Sequence, residues 1–185
     1  MPQVLKAHVK EEILKSGLSE FYKTGYDKSK IRDIAIKSNV SPGNIYRYFT
    51  NKEQLFNAIV TPVYNELKIM FKNLNASGAS STEILVKDFA DMLVQITKKH
   101  RYEIHIILSN ETILPNVSKD LDKMLEDVIL AGFVLKSDNN ITSNDKIMIK
   151  AYTESIKKGI VKIIEETNTK SKLDSLIGDF VKIFF

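Results

Sequence analysis

The run Val40-Ser41-Pro42-Gly43-Asn44-Ile45 constrains the fold more than any other stretch of the chain. Serine is a preferred N-cap, and proline at the first helical position gives up only an N–H that would have had no partner. Val40 and Ile45 then occupy the two positions of a hydrophobic staple, which fixes the angle at which the chain enters the helix. Upstream, Ile31, Ile34 and Ala35 give a short helix an inward face, Ser29 stands where it can cap that helix, and Ser38-Asn39 ends it. Asparagine accepts the positive φ of a tight turn. Two short helices joined by about three residues, the second entered at a fixed angle, form the pattern of a helix-turn-helix. It covers 31–49.

The rest of the chain reads as helix at a period of three and four. Leu5, Val9, Ile13, Leu14, Leu18, Phe21 and Tyr22 make one apolar stripe, which Gly25 stops. Thr50-Asn51-Lys52-Glu53 predicts a capping box opening a fourth helix, along which Leu55, Ile59, Val63 and Leu67 step to about Leu74. Pro62 lies inside it and should kink it. The stretch 75–81, Asn-Ala-Ser-Gly-Ala-Ser-Ser, is the clearest linker. Further helices are expected at about 82–98, 101–112, 117–136, 144–167 and 171–184, separated by Pro115, by Ser137 to Asn144 and by Thr167 to Lys170. No period-two alternation of useful length occurs, so the fold class is all-α, with about nine helices. A three-helix domain over 1–50 is joined to a larger helical domain over 51–185, and the helix at about 51–74 connects the two.

Composition excludes several functions. The 185 residues, 43% apolar and 27% charged, suit a soluble folded chain. The lack of cysteine removes disulfides, thiolate zinc sites and thiol catalysis, and points to a cytoplasmic address. No stretch reaches the ~18 apolar residues of a membrane span, and Met1 to Lys10 is charged where a signal peptide is apolar. The expectation is a protein neither inserted nor exported, without a membrane partner. Of three histidines, His105 stands six residues from Glu111, a spacing that does not put two ligands on one helix face, so no metal and no cofactor is expected. Neither a nucleophile–base pair nor a metal cluster is present, so no enzyme is expected. Charge is uneven: residues 1–60 carry ten Lys and Arg against six Asp and Glu, while 61–185 balance. The whole excess of +4 sits in the first third, as suits a small module that meets a polyanion.

A helix-turn-helix lays its second helix in the DNA major groove, with the leading residues nearest the base edges. Here those are Ser41, Pro42, Gly43 and Asn44; glycine allows close backbone approach, and the asparagine amide matches the two-point edge of adenine. Tyr46, Arg47 and Tyr48 offer hydroxyls and a guanidinium. Lys52 at the head of the fourth helix, and Lys28, Ser29 and Lys30 at the head of the second, can hold phosphates.

Four blocks carry a family resemblance: Phe21-Tyr22-Lys23-Thr24-Gly25-Tyr26, Ile31-Arg32-Asp33-Ile34-Ala35, Val40 through Phe49, and Asn51-Lys52-Glu53-Gln54-Leu55. In order and spacing they resemble the N-terminal DNA-binding domain of TetR/AcrR-family transcriptional regulators, over roughly residues 8–60. The resemblance implies a homodimer that binds a palindromic operator, in most cases as a repressor, and that lets go when a small molecule enters the C-terminal domain. By position, Tyr46 and Lys52 resemble the family's phosphate contacts, and Gly43, Asn44 and Arg47 lie where its recognition helix meets DNA. Asn39 replaces the usual turn glycine, Lys30 stands where Ser or Thr commonly caps, and Tyr48 takes a position often held by histidine.

For the larger domain, the resemblance implies that the last two helices pair with their copies in a four-helix bundle. The stripes containing Tyr152, Ile156, Ile160 and Ile163, and Leu173, Leu176, Ile177, Phe180 and Phe184, are compatible with that. Tyr102, His105, Asn110 and Glu111, near the break before Pro115, are candidate effector contacts, and Pro62 is a candidate pivot. The alternative reading is a DNA-binding architectural or partner-recruiting protein with the same head and no effector.

Overall fold

The computed structural model describes residues 6–136 and 141–185; Leu5 and part of the 137–144 separator lie outside them. Among the described residues there are nine helices and no strand: α1 (Ala7–Lys28), α2 (Ile31–Lys37), α3 (Pro42–Tyr48), α4 (Lys52–Ala76), α5 (Thr82–Lys99), α6 (Arg101–Ser109), α7 (Pro115–Lys136), α8 (Ser143–Glu166) and α9 (Lys170–Lys182). None is long and apolar enough to cross a membrane.

The chain forms two compact units that divide within α4, after Tyr64. The boundary expected from the sequence falls at the head of α4 instead. The first turns of that helix belong to the N-terminal core for a physical reason. Phe56 meets Phe21 edge-on at 5.1 Å and Tyr26 at 4.9 Å between ring centroids. Gly17 of α1 lets Leu55 and Ile59 approach so closely that an added Cβ would stand 3.1 Å from Ile59 Cδ1. Ile13, Ile34 and Ile45 are fully buried in the same unit. Glu20 is buried as well, and its carboxylate takes Lys37 Nζ at 2.6 Å, tying α1 to α2.

In the second unit α5 packs chiefly along α9, while α6 and α7 pack on α8. Phe89, Ile96, Ile106, Ile129, Ile156 and Ile177 are at most 1% exposed. Arg101, on α6, donates to the carbonyls of Ile164 and Thr167 and so covers the C-terminal end of α8, where carbonyls lack helical partners. Glu66 joins Lys99 at 2.8 Å and His100 at 3.0 Å, pinning α4 to the α5–α6 junction. Two aromatic rings are seated on glycines: Phe180 on Gly159 of α8, and Phe185 on Gly132 of α7.

Several local expectations are corrected. Gly25 breaks α1 at φ 76, but one further turn follows to Lys28. Ser29 does not cap α2: the N-cap is Lys30 without a side-chain bond, and the buried Ser29 hydroxyl donates to the Tyr26 carbonyl at 2.6 Å. The head of α4 uses Asn51 and Gln54 rather than Thr50 and Glu53. Asn51 Oδ1 accepts from the Gln54 N–H at 2.7 Å, and Gln54 Oε1 accepts from the Thr50 N–H at 2.5 Å. Pro62 does lie inside α4 as expected, the helix running from Lys52 to Ala76. Pro115 opens α7 instead of separating it from α6, and α6 stops at Ser109 because the Asn110 amide folds back to the Ile106 carbonyl at 2.7 Å.

Candidate nucleic-acid interface and the helical cavity

The turn between α2 and α3 is built as its residues require. Asn39 takes φ 53, the one positive φ of a non-glycine among the described residues, and the Val40 N–H closes onto the Ala35 carbonyl at 3.0 Å. Ser41 caps α3, its hydroxyl accepting from the Asn44 N–H at 3.2 Å, and Pro42 follows in the first turn. With Ile45 fully buried as the anchor of α3, the opposite face is turned to solvent. Ser41, Pro42, Gly43, Tyr46 and Arg47 are exposed, Asn44 is half-buried, and Phe49 is buried. Nothing lies within 4 Å of a Cβ built on Gly43, so the backbone there is open to close approach.

Not every expected contact has its side chain available. Tyr48 is half-buried, and its hydroxyl accepts from the Lys6 N–H at 3.1 Å and donates to the Lys6 carbonyl at 3.3 Å. Lys52 points its ammonium group at the α1–α2 connection, reaching the carbonyls of Tyr26 at 2.6 Å, Ser29 at 3.2 Å and Asp27 at 3.4 Å. It also lies 4.2 Å from the centre of the Tyr26 ring. Lys52 is thus a clamp within the module, and Ser29 is a buried strut. Lys28 and Lys30 are exposed on either side of that strut. Two lysines that the motif did not single out lie close to α3 and its C-cap: the Lys6 main chain is hydrogen-bonded to the Tyr48 hydroxyl, and Lys10 Nζ stands 5.9 Å over the Phe49 ring; the uneven charge count was the only trace of either.

The residues expected to meet an effector do not converge. Tyr102 is exposed, His105 Nε2 pairs with Glu165 at 3.1 Å, Asn110 ends α6, and Glu111 pairs with Lys157 at 3.1 Å. The second unit encloses instead a small apolar cavity of about 30 Å³, with Phe71, Leu93, Ile104 and Leu125 in its wall. Lys157 also lines it. This side chain is 3% exposed and is held by Asp122 at 2.5 Å, Glu154 at 2.8 Å and Glu111 at 3.1 Å. Burial works against its charge, but the hydrogen bonds from the three carboxylates outweigh burial and hold the ammonium well above the ordinary lysine range.

The stripes expected to meet a second subunit are divided. Ile156, Ile160, Leu173 and Ile177 belong to the unit's own core. Tyr152, Ile163, Phe180 and Phe184 are half-buried, and Leu176 is exposed.

Comparison with known proteins agrees with this geometry. Residues 13–59 match the family model described as "Bacterial regulatory proteins, tetR family". The chain is 27% identical over 134 residues to a Bacillus subtilis protein named "Uncharacterized HTH-type transcriptional regulator YhgD", covering 72% of this chain and 70% of that one. It is 40% identical over 48 residues to the Escherichia coli protein named "Probable acrEF/envCD operon repressor", covering 26% of this chain and 22% of that one. In fold it is similar to a TetR-family transcriptional regulator from Bordetella parapertussis, with a TM-score of 0.76 at 17% identity over 97% of this chain and 95% of that one. It is similar also to a transcriptional regulator FadR from Bacillus subtilis in complex with stearoyl-CoA, with a TM-score of 0.59 at 14% identity over 94% and 96%. With its capped recognition helix exposed, the N-terminal module matches the tetR family of bacterial regulatory proteins in sequence, and the whole chain has the fold of TetR-family transcriptional regulators.

Proposed function

We propose that the protein is a repressor that binds a two-fold symmetric operator as a homodimer and is released by a small molecule held in its larger unit. The observation that carries the DNA-binding part is the division of α3 into a fully buried Ile45 and an exposed leading edge of Ser41, Pro42 and Gly43. A single copy of so short a helix reads too few base pairs for specificity, and pairing two copies on a symmetric site supplies the rest. Gly43, Asn44 and Arg47 read base edges. Lys28, Lys30, Tyr46, Lys6 and Lys10 contact phosphates. Leu176, which is exposed, and Ile163, which is half-buried, are α8 and α9 side chains available to a partner subunit. The effector site is the cavity walled by Phe71, Leu93 and Ile104; the FadR neighbour's complex with stearoyl-CoA, whose acyl chain is apolar, supports a ligand with an apolar body. Such a regulator works in the cytoplasm, beside its DNA, and has no catalytic task.

Selection of DNA from a random pool by the purified protein tests this. The expected result is an inverted repeat with half-sites one helical turn or a multiple apart. Recovery of no common sequence would overturn the operator reading. A monomer in sedimentation at micromolar concentration would overturn the dimer.

A further inference from the structure

The cavity in the second unit has room for about one water, far below the ~300–1,000 Å³ of a drug-sized site, so any effector must part the helices to enter. What it would then meet is decided by two polar side chains in an otherwise apolar wall. Lys157 contributes its stem, and its ammonium hydrogens are all committed: three carboxylate oxygens lie within 3.1 Å. Thr97 is different. It is 0% exposed, lines the cavity, and its Oγ1 has no hydrogen-bond partner among the described residues. An unpaired buried hydroxyl is uncommon, because it loses its hydration without replacement.

We propose that this cavity takes a neutral, largely apolar ligand bearing one hydroxyl or carbonyl group, which pairs with Thr97 Oγ1. The proposal rests on the effector reading above and gives it a ligand class. An anionic head finds no free donor at Lys157 and meets the field of Glu111, Asp122 and Glu154. A cationic head is favoured by that field, but none of the three carboxylates lines the cavity, so Thr97 Oγ1 is the one side-chain acceptor it meets there. Either charge would enter an apolar site without a partner, which is far costlier than burying a paired neutral group. A hydrocarbon with no polar atom would fit the wall but leave Thr97 unsatisfied.

The test uses the full chain labelled at isoleucine methyl groups and three probes of one length: 1-octanol, octanoate and octylammonium. Ile96, Ile104 and Ile160 report the cavity by NMR, and Ile34 and Ile45, in the other unit, serve as references. Octanol is expected to move the three cavity methyls saturably, with both ions at least tenfold weaker. Thr97→Val, which keeps the shape and removes the hydroxyl, is expected to weaken octanol at least threefold, while Thr97→Ser stays within twofold of the parent. The proposal is overturned if either ion binds as well as octanol, if Thr97→Val leaves octanol unchanged, or if none of the probes moves the cavity methyls. Release of the selected DNA is measured separately. Octanol binding that leaves DNA affinity untouched would remove the effector reading and keep the head-group rule. Release by some other compound while the cavity methyls stay silent would do the reverse.

Discussion

Lys52 and Asn44 both belong to the N-terminal unit and are expected to fail in different ways. The Lys52 ammonium holds three carbonyls of the α1–α2 connection, and a charged donor's hydrogen bonds contribute about 1.5–3 kcal/mol. Lys52→Ala should therefore lower the melting temperature and weaken binding to every DNA sequence in proportion. The slope of log K against log salt should stay within ~0.9 of the parent; a loss of that size with unchanged melting would mean a lost phosphate contact instead. Asn44→Ala leaves the Ser41 cap intact, since that bond uses the Asn44 backbone N–H. Its expected signature is relaxed preference at particular base pairs with little change in the salt slope, read by binding to singly substituted operators. The sequence showed both residues at the surface of a DNA-binding module and assigned Lys52 to phosphate. It could not show that Lys52 has a nearer target, because Tyr26 and Ser29 reach it only through the break at Gly25.

At the level of elements, helix existence was legible because the apolar period and the caps agreed; which residue caps which helix was not. At the head of α4, Thr50-x-x-Glu53 and Asn51-x-x-Gln54 are overlapping candidates one residue apart, and packing of Leu55 and Phe56 chooses the register. The α8 and α9 stripes were legible as stripes, yet a period of 3.6 is the same whether the partner is α5 of the same chain or a second subunit. The glycines carry what periodicity cannot. A Cβ on Gly159 would fall 2.0 Å from Phe180 Cζ, well inside contact distance. Gly159→Ala should displace the ring and destabilise the larger unit by about 1–3 kcal/mol, measured by denaturant unfolding. Combined with Phe180→Ala, it should cost less than the sum of the two single changes. The Lys157 cluster adds a pH signature. Because its folded pKa is raised, its contribution is complete below the ordinary lysine pKa of 10.5 and is lost as pH rises through the higher folded value. The gap in stability between the parent and Lys157→Met should thus be level from neutral to about pH 10 and close above it, as scanning calorimetry across pH would show.

For the molecule as a whole, regulation requires that an event in the second unit alter the first, and a ligand shifts that balance only by its preference for one state. α4 is the element that both units share, and the division after Tyr64 falls two residues beyond Pro62, whose missing N–H leaves the Ala58 carbonyl without its helical bond. Pro62→Ala should restore that bond. Its expected outcome is a larger change in effector-driven release than in basal DNA affinity, compared by titration with and without the effector; equal changes in both would count against a pivot. The Lys52 clamp gives any such movement a definite destination. Since the first turn of α4 is tethered to the backbone between Tyr26 and Ser29, a small displacement of that turn would tow Lys28 and Lys30 away from the phosphates that we propose they contact. Induction need not dislodge the recognition helix at all. It would be enough to spoil the grip beside it, so that the base-reading surface loses its register while remaining folded.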